Sequence, residues 1–309
     1  MHLLIPFASS TAAQCRPALE TLQLPYLEKL LRRLAPAQTD SGPATSLTPP
    51  HERVLAQMLG LAAPDGCIAW AAHHMSQAGR DPGTAAWAWI TPVHWDVGAD
   101  YISMADPGAL DLQEEQSREL LSAMQRFFEE DGITLEYTAP HRWLAHGEVF
   151  RGLASASLDR VAGHEISPWM PTAAALRRLQ NEMQMLLYTN PLNDTRTARG
   201  LATVNSFWVS GTGALPHAKP SGPQDVTVAD TLRAAALRDD WSQWARSWAA
   251  LDQNECRVLL ESAVAGKPAQ LTLCGDRNAL QFASAQDGAL NQLRRRFTRT
   301  TLQGLQDQL

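Results

Sequence analysis

The chain has 309 residues, of which 45% are hydrophobic and 19% charged, with a formal net charge of −6. That composition is globular and excludes a disordered polypeptide, and the length exceeds what one ordinary core fills. The acidic balance argues against nucleic acid as a partner, because backbone binding runs on clustered Lys and Arg, and no apolar run approaches the roughly 20 residues that cross a bilayer.

The opening run Leu3-Leu4-Ile5 has no basic leader, is too short for a signal peptide and reads as a first strand. Export is not expected, and the chain is placed in the cytoplasm. Cys15, Cys67, Cys256 and Cys274 lie too far apart for a metal knuckle or a secreted scaffold, and read as idle thiols. Residues 20–34 read as a helix. Residues 35–50, rich in Pro, Ser, Thr and Gly, read as an exposed loop. Residues 52–61 then carry Val54, Leu55, Met58 and Leu59 at helical spacing, with Gly60 as terminator.

From Ala86 the period changes to two. Trp87, Trp89, Val93, Trp95 and Val97 mark strands bent or interrupted at Pro92, and Gly98-Ala99-Asp100 turns into a hairpin partner at 101–104. Asp111 and Glu114 have capping-box spacing before a helix that runs to Glu130 and stops at Asp131-Gly132. Short strands are expected at 133–137 and 143–145. A helix from Thr172 sets Leu176, Leu179, Met183 and Leu186 on one stripe until Asn190-Pro191. Asn193 is positioned to cap a short helix ending at Gly200, and residues 201–209 become extended up to Gly211-Thr212-Gly213.

Beyond this point Trp241, Trp244 and Trp248 share a helical face, the pattern of a core anchor. A hairpin is expected from 271–274 and 280–282, then a basic closing helix with Arg294, Arg295, Arg296 and Arg299. These elements predict an α/β or α+β fold, a mixed sheet with flanking helices and a smaller C-terminal helical and hairpin region. The expected division is a main region over 1–213, a linker over 214–225 and a C-terminal region over 226–309.

Residues 177–213 carry most of the candidate chemistry. Arg196 and Arg199 fall three apart on the short helix, close to Gly211 and Gly213 if the chain doubles back. Arginine forks with free backbone N–H groups suit a phosphate or carboxylate; the competing reading is that both arginines cap or pair structurally. His164 and Glu165 lie in an irregular loop just before this region and either line a pocket, with Asn181 and Glu182 completing it, or pack structurally. Arg178 and Glu182 also make an ordinary helical ion pair. His94 and Asp96 face one side of a strand without an evident third metal ligand. His73-His74, His141 and His146 read as background.

The stretch Asn190-Pro191, Asn193, Arg196, Asn205, Trp208, Gly211, Gly213 resembles the segment H-P-x-N-x-x-R…A-N-x-I-W-L-W-G-x-G of archaeal-type cofactor-independent phosphoglycerate mutases. Over nearly the whole chain, MHLLIPF, PVHWDV, MADP, GHEISPWMP, LQNEMQM and VNSFWVSGTG resemble the bacterial regulatory protein RpfE family, some members of which carry a phosphoglycerate mutase label. The mutase resemblance implies two metal ions held by Asp and His and a serine nucleophile beside an N-terminal Asp-Gly strand end. Here Ala8-Ser9-Ser10 follows the first strand, no Asp precedes Asp40, and His217 is the one histidine beyond the glycine turn. Ser9 and Ser10 read as a remnant nucleophile or as turn residues.

No catalytic residue, metal ligand or cofactor is therefore assigned. The resemblance implies a non-catalytic, regulatory relative that binds a small phosphorylated or carboxylate metabolite or a protein partner, with His164, Glu165, Asn193, Arg196, Arg199, Asn205, Gly211 and Gly213 as candidate ligand contacts. The alternatives are a mutase or other metal-dependent phosphoryl-transfer enzyme, and an interaction scaffold.

Overall fold

The structure, a computed structural model, describes residues 1–215, 225–284 and 300–309. The chain opens with β1 (His2–Ile5), α1 (Cys15–Thr21), α2 (Pro25–Arg33), β2 (Leu34–Ser41) and α3 (Pro50–Leu59). Its middle runs α4 (Trp70–Gln77), β3 (Trp87–Val93), β4 (Trp95–Val97), β5 (Ile102–Met104), α5 (Glu114–Glu130), β6 (Thr134–Ala139), β7 (Arg142–His146), α6 (Leu158–Val161), α7 (Ala174–Tyr188), α8 (Pro191–Ala198) and β8 (Ser206–Gly213). It closes with β9 (Val226–Val228), α9 (Arg233–Ala236), α10 (Trp241–Leu251), α11 (Arg257–Val264), β10 (Gln270–Cys274), β11 (Asn278–Ser284) and α12 (Leu302–Leu305). Mixed sheet and flanking helices are both present, as the sequence pattern implies. Among the described residues no helix is long and apolar enough to cross a membrane.

The chain divides into two compact units, one from residues 1–45, 49–59 and the described part of 221–309, the other from 46–48 and the described part of 60–220. This corrects the expected division at 213 and 226. The reason is strand pairing: β1 lies parallel to both β9 and β10, so the first strand is enclosed by the last part of the chain. The 271–282 hairpin exists as β10 and β11, but it is the middle of a sheet rather than a separate region. Most of the expected linker and the expected arginine-rich closing helix, as well as His217, lie outside the described residues.

The first unit is built on a five-stranded sheet in the order β2-β11-β10-β1-β9. Parallel strands buried on both faces need continuous apolar side chains, and β1 is buried at all four positions. Leu3 and Ile5 meet Leu27 and Leu30 of α2, Trp244 and Trp248 of α10 and Leu259 of α11 in one core, while Leu4 meets Val54 of α3 in another. Trp244 and Trp248 also donate indole N–H bonds to Phe7 O at 2.9 Å and Ala8 O at 3.3 Å, fixing the loop after β1. The tryptophan stripe is thus a core anchor. Leu24 at the start of α2 makes no side-chain cap, and buried Asp252 supplies it from elsewhere, accepting from Leu27 N at 2.7 Å and Tyr26 N at 3.2 Å.

The expected loop over 35–50 is partly a strand: β2 pairs antiparallel with β11 at the sheet edge. Its exposed residues include polar Gln38, Thr39 and Ser41, and Pro36 sits at the register shift opposite Phe282, where a missing N–H costs no ladder bond. Polar composition and a proline made an edge strand read as a loop. The expected helix at 20–34 is likewise two, α1 and α2, separated before Pro25.

His2 is 6% exposed on β1, with Nε2 2.7 Å from Thr272 Oγ1, and burial pushes its pKa down to about 4. The folded chain therefore binds this proton less readily than the unfolded chain. The contribution of neutral His2 is complete above about pH 6.5 and erodes as pH falls towards 4, by about 1.4 kcal/mol per unit. Urea unfolding of wild type and His2→Gln between pH 7 and 4 is expected to show a steeper loss in wild type; parallel curves would contradict it.

The second unit contains a four-stranded antiparallel sheet, β6-β7-β3-β8, and the β4–β5 hairpin. One sheet face, carrying Ile90, Trp143, Ala145, Phe207 and Val209, packs on Leu120, Met124 and Phe128 of α5 and Leu176, Leu179, Met183 and Leu187 of α7. The α7 stripe thus ends on Leu187, with Leu186 only partly buried. β3 runs through Pro92 because β7 stops pairing at Ile90, which leaves Pro92 facing β8 alone. The α5 capping box uses Gln113 and Gln116, not Asp111 and Glu114, since Asp111 takes left-handed backbone at φ 46°.

Candidate functional site

The phosphomutase-like segment folds as α8 followed by β8, and its polar side chains turn inward. Asn190, rather than Asn193, caps α8 by accepting from Leu192 N at 2.9 Å, with Pro191 in the first turn. Asn193 is buried within the helix. Its amide donates to Leu187 O and Val204 O, both at 2.8 Å, and accepts from Val204 N at 2.9 Å, so both its N–H groups and its oxygen tie α7, α8 and the approach to β8. Asn205 does the same for β4, accepting from Trp95 N at 2.7 Å and donating to Trp95 O at 2.8 Å.

Arg196 is 0% exposed. Its Nε donates to Ala202 O at 2.8 Å, Nη1 to Gln116 Oε1 at 2.9 Å, and Nη2 to Leu110 O. Burial lowers the guanidinium's pKa, and the nearby Asp111 carboxylate works in the opposite direction. Each of its three nitrogens thus has a protein acceptor, in an enclosed position, where the sequence pattern sets Arg196 beside Arg199 as an anion contact. Arg199 instead closes α8 and is exposed.

Gly211 and Gly213 are not a terminating turn. They lie within β8, where the register against β3 shifts between Trp87 and Trp89, so the pair forms a bulge. Gly211 has φ 62°, and a Cβ there would stand 2.9 Å from Trp89 Cδ1 and 3.1 Å from Trp70 Cβ. Thr212 between them donates to Leu153 O at 2.6 Å. Close backbone packing accounts for both glycines. Gly211→Ala is expected to cost about 2–3 kcal/mol, from left-handed backbone and overpacking together, read as a lowered thermal midpoint; an unchanged midpoint would contradict the bulge.

His164 and Glu165 are exposed, in a loop whose backbone joins the β5 edge: Gly163 N donates to Met104 O at 2.8 Å, and Met104 N to His164 O at 3.0 Å. Neither side chain is brought into contact with Arg196, which is enclosed elsewhere. Asn181 is exposed, and Glu182 makes the ordinary pair with Arg178 at 3.6 Å. His94 Nδ1 lies 2.8 Å from Thr203 O, while Asp96 is exposed.

In the first unit, the loop after β1 lies beside the carboxyl end of β10, where open α/β sheets commonly present ligands. Ser9 is buried, and Ser10 Oγ donates to Asp276 Oδ2 at 3.1 Å. Thr11 adds its N–H and hydroxyl to the same oxygen, each at 2.7 Å. One carboxylate gathers these donors and organises the loop.

A cluster absent from the sequence expectations lies on the other face of the four-stranded sheet. The Arg142 guanidinium stands 4.7 Å from the Trp89 ring centroid, and the His74 ring meets the same indole edge-on at 4.9 Å. α4 delivers His74, while β3 and β7 deliver Trp89 and Arg142 by cross-strand register.

No protein-family model matches the chain, and no curated protein matches it. Among solved structures it is similar to a cofactor-independent phosphoglycerate mutase from Thermoplasma acidophilum DSM 1728, at 14% identity over 99% of this chain and 98% of that one, with a TM-score of 0.35. It is also similar to the PH0037 protein from Pyrococcus horikoshii, at 12% identity over 92% and 87% of the two chains, with a TM-score of 0.41.

Proposed function

We propose that the chain is a non-catalytic binding protein for a small anionic metabolite, serving regulation rather than turnover. The observation that carries the non-catalytic part is the commitment of Asn193, Arg196 and Asn205 to protein acceptors and donors. A segment that resembles a substrate-binding region here works as framework. The loop after β1 supports the same reading, since the hydroxyls of Ser10 and Thr11 are both given to the Asp276 carboxylate. Regulation follows from the family resemblance.

A thermal-shift screen against phosphorylated three-carbon acids, paired with a mutase assay in Mn, Mg and Zn, tests this. The expected result is stabilisation by at least one anion, about 5 °C at a hundredfold excess over Kd, without turnover. Metal-dependent turnover would overturn the reading, and so would a complete absence of stabilisation.

A further inference from the structure

We propose an oxyanion site for a phosphate or phosphomonoester on the α4-facing side of the second unit's sheet, held by Arg142 and His74 on the Trp89 platform. It rests on the reading of the chain as an anion binder and gives the anion a place, outside the segment that resembles the mutases.

Trp89 is opposite Leu144 on β7, so Arg142, two residues before Leu144, lies diagonally across from Trp89 on the same face. Its guanidinium carbon lies over the indole, 4.7 Å from the ring centroid, a contact that suits a cation and uses none of the fork's hydrogen-bond donors on a protein acceptor. Arg142 and His74 are both exposed, and Trp89 beneath them is 7% exposed. Among the described residues neither Arg142 nor the His74 ring makes an ion pair or a side-chain hydrogen bond.

The carboxylate on this face is already taken. Glu136, opposite Leu144 on β6, has its two oxygens bound by Arg80 at 2.5 and 2.7 Å. The remaining titratable neighbours are imidazoles: His73, whose buried Nδ1 has no partner, and His146, whose ring lies 5.0 Å from Trp87. Burial holds the His74 pKa down, and the Arg142 charge adds to it. Burial also lowers Arg142, and His73 is lowered by burial and by His74. Arg142 and His74 thus meet at one indole, while the neighbouring carboxylates are paired with other arginines, Glu136 with Arg80 and Glu148 with Arg151. An anion between the two would turn their repulsion into attraction.

The donor count selects phosphate. A carboxylate has only the two oxygens that the arginine fork engages, whereas a phosphate adds a third for the imidazolium N–H and carries the second charge that a protonated His74 balances.

The test is NMR titration of the full chain with inorganic phosphate, following the His74 ring proton against pH and the Arg142 Nε–H signal at fixed pH, with chloride and acetate at matched ionic strength. Phosphate is expected to raise the His74 midpoint by about half a unit or more and to shift Arg142 saturably, with acetate and chloride producing neither. Arg142→Gln is expected to abolish the midpoint change. An unmoved His74 and Arg142, an equal response to chloride or acetate, or a response that survives Arg142→Gln would each overturn the site. If that variant fails to fold, the wild-type Arg142 signal alone decides. Thermal stabilisation by anions with both signals unmoved removes this site but leaves the anion-binding reading standing.

Discussion

Arg196→Ala is expected to lower the stability of the second unit by about 3–5 kcal/mol. The substitution leaves Leu110 O and Ala202 O without their donors, strips Gln116 Oε1 of its partner and opens a cavity where a fully buried side chain stood. Arg196→Lys is expected to recover only part of the loss, because one ammonium cannot reproduce a planar fork aimed at three acceptors. Urea unfolding followed through amide exchange in β3 and α5 measures both. A variant as stable as wild type would mean that the guanidinium is not a structural tie.

Trp244→Ala is expected to cost the first unit about 3–5 kcal/mol. Trp244 is fully buried, packs edge-on to Trp248 at 6.2 Å, and holds the carbonyl of Phe7, whose backbone is left-handed at φ 55°. Trp244→Phe keeps most of the buried area and loses only the N–H, so about 1–2 kcal/mol is expected. In both variants the amide of Ala8, which donates to Cys274 O at 2.7 Å, is expected to exchange faster as the loop after β1 is released. Unchanged exchange at Ala8 would show that the indole bond does not hold the loop.

Much of the fold is legible in the sequence where the signal is local. The period-two tryptophans give β3, the Leu176–Leu179–Met183 stripe gives α7, and the tryptophan stripe gives the buried face of α10. Signals that depend on distant pairing are not. β1 reads as an ordinary buried strand, yet nothing in it announces that β9 and β10 flank it, and this is why the unit boundaries differ from those expected. Edge strand β2 escapes because an exposed strand needs no apolar alternation.

The candidate site shows the same limit more sharply. The short spacing of Arg196 and Arg199 is visible in the sequence, but their opposite fates, one enclosed and one exposed, depend on Leu110, Gln116 and Ala202 converging on a single guanidinium. The Gly211–Gly213 pair carries the composition of an anion loop, and only the register against β3 reveals a bulge. Conversely, His74 and Arg142 look like background until α4 and β7 bring both to Trp89.

The arginine Nε–H spectrum of the intact chain, recorded with and without inorganic phosphate, bears most directly on the claim that the mutase-like segment is framework. The Arg196 signal is expected to exchange slowly with solvent and to stay fixed throughout the titration, as befits a proton donated to Ala202 O inside the unit. A saturable displacement of the Arg196 signal would place the anion in that segment after all and contradict the account.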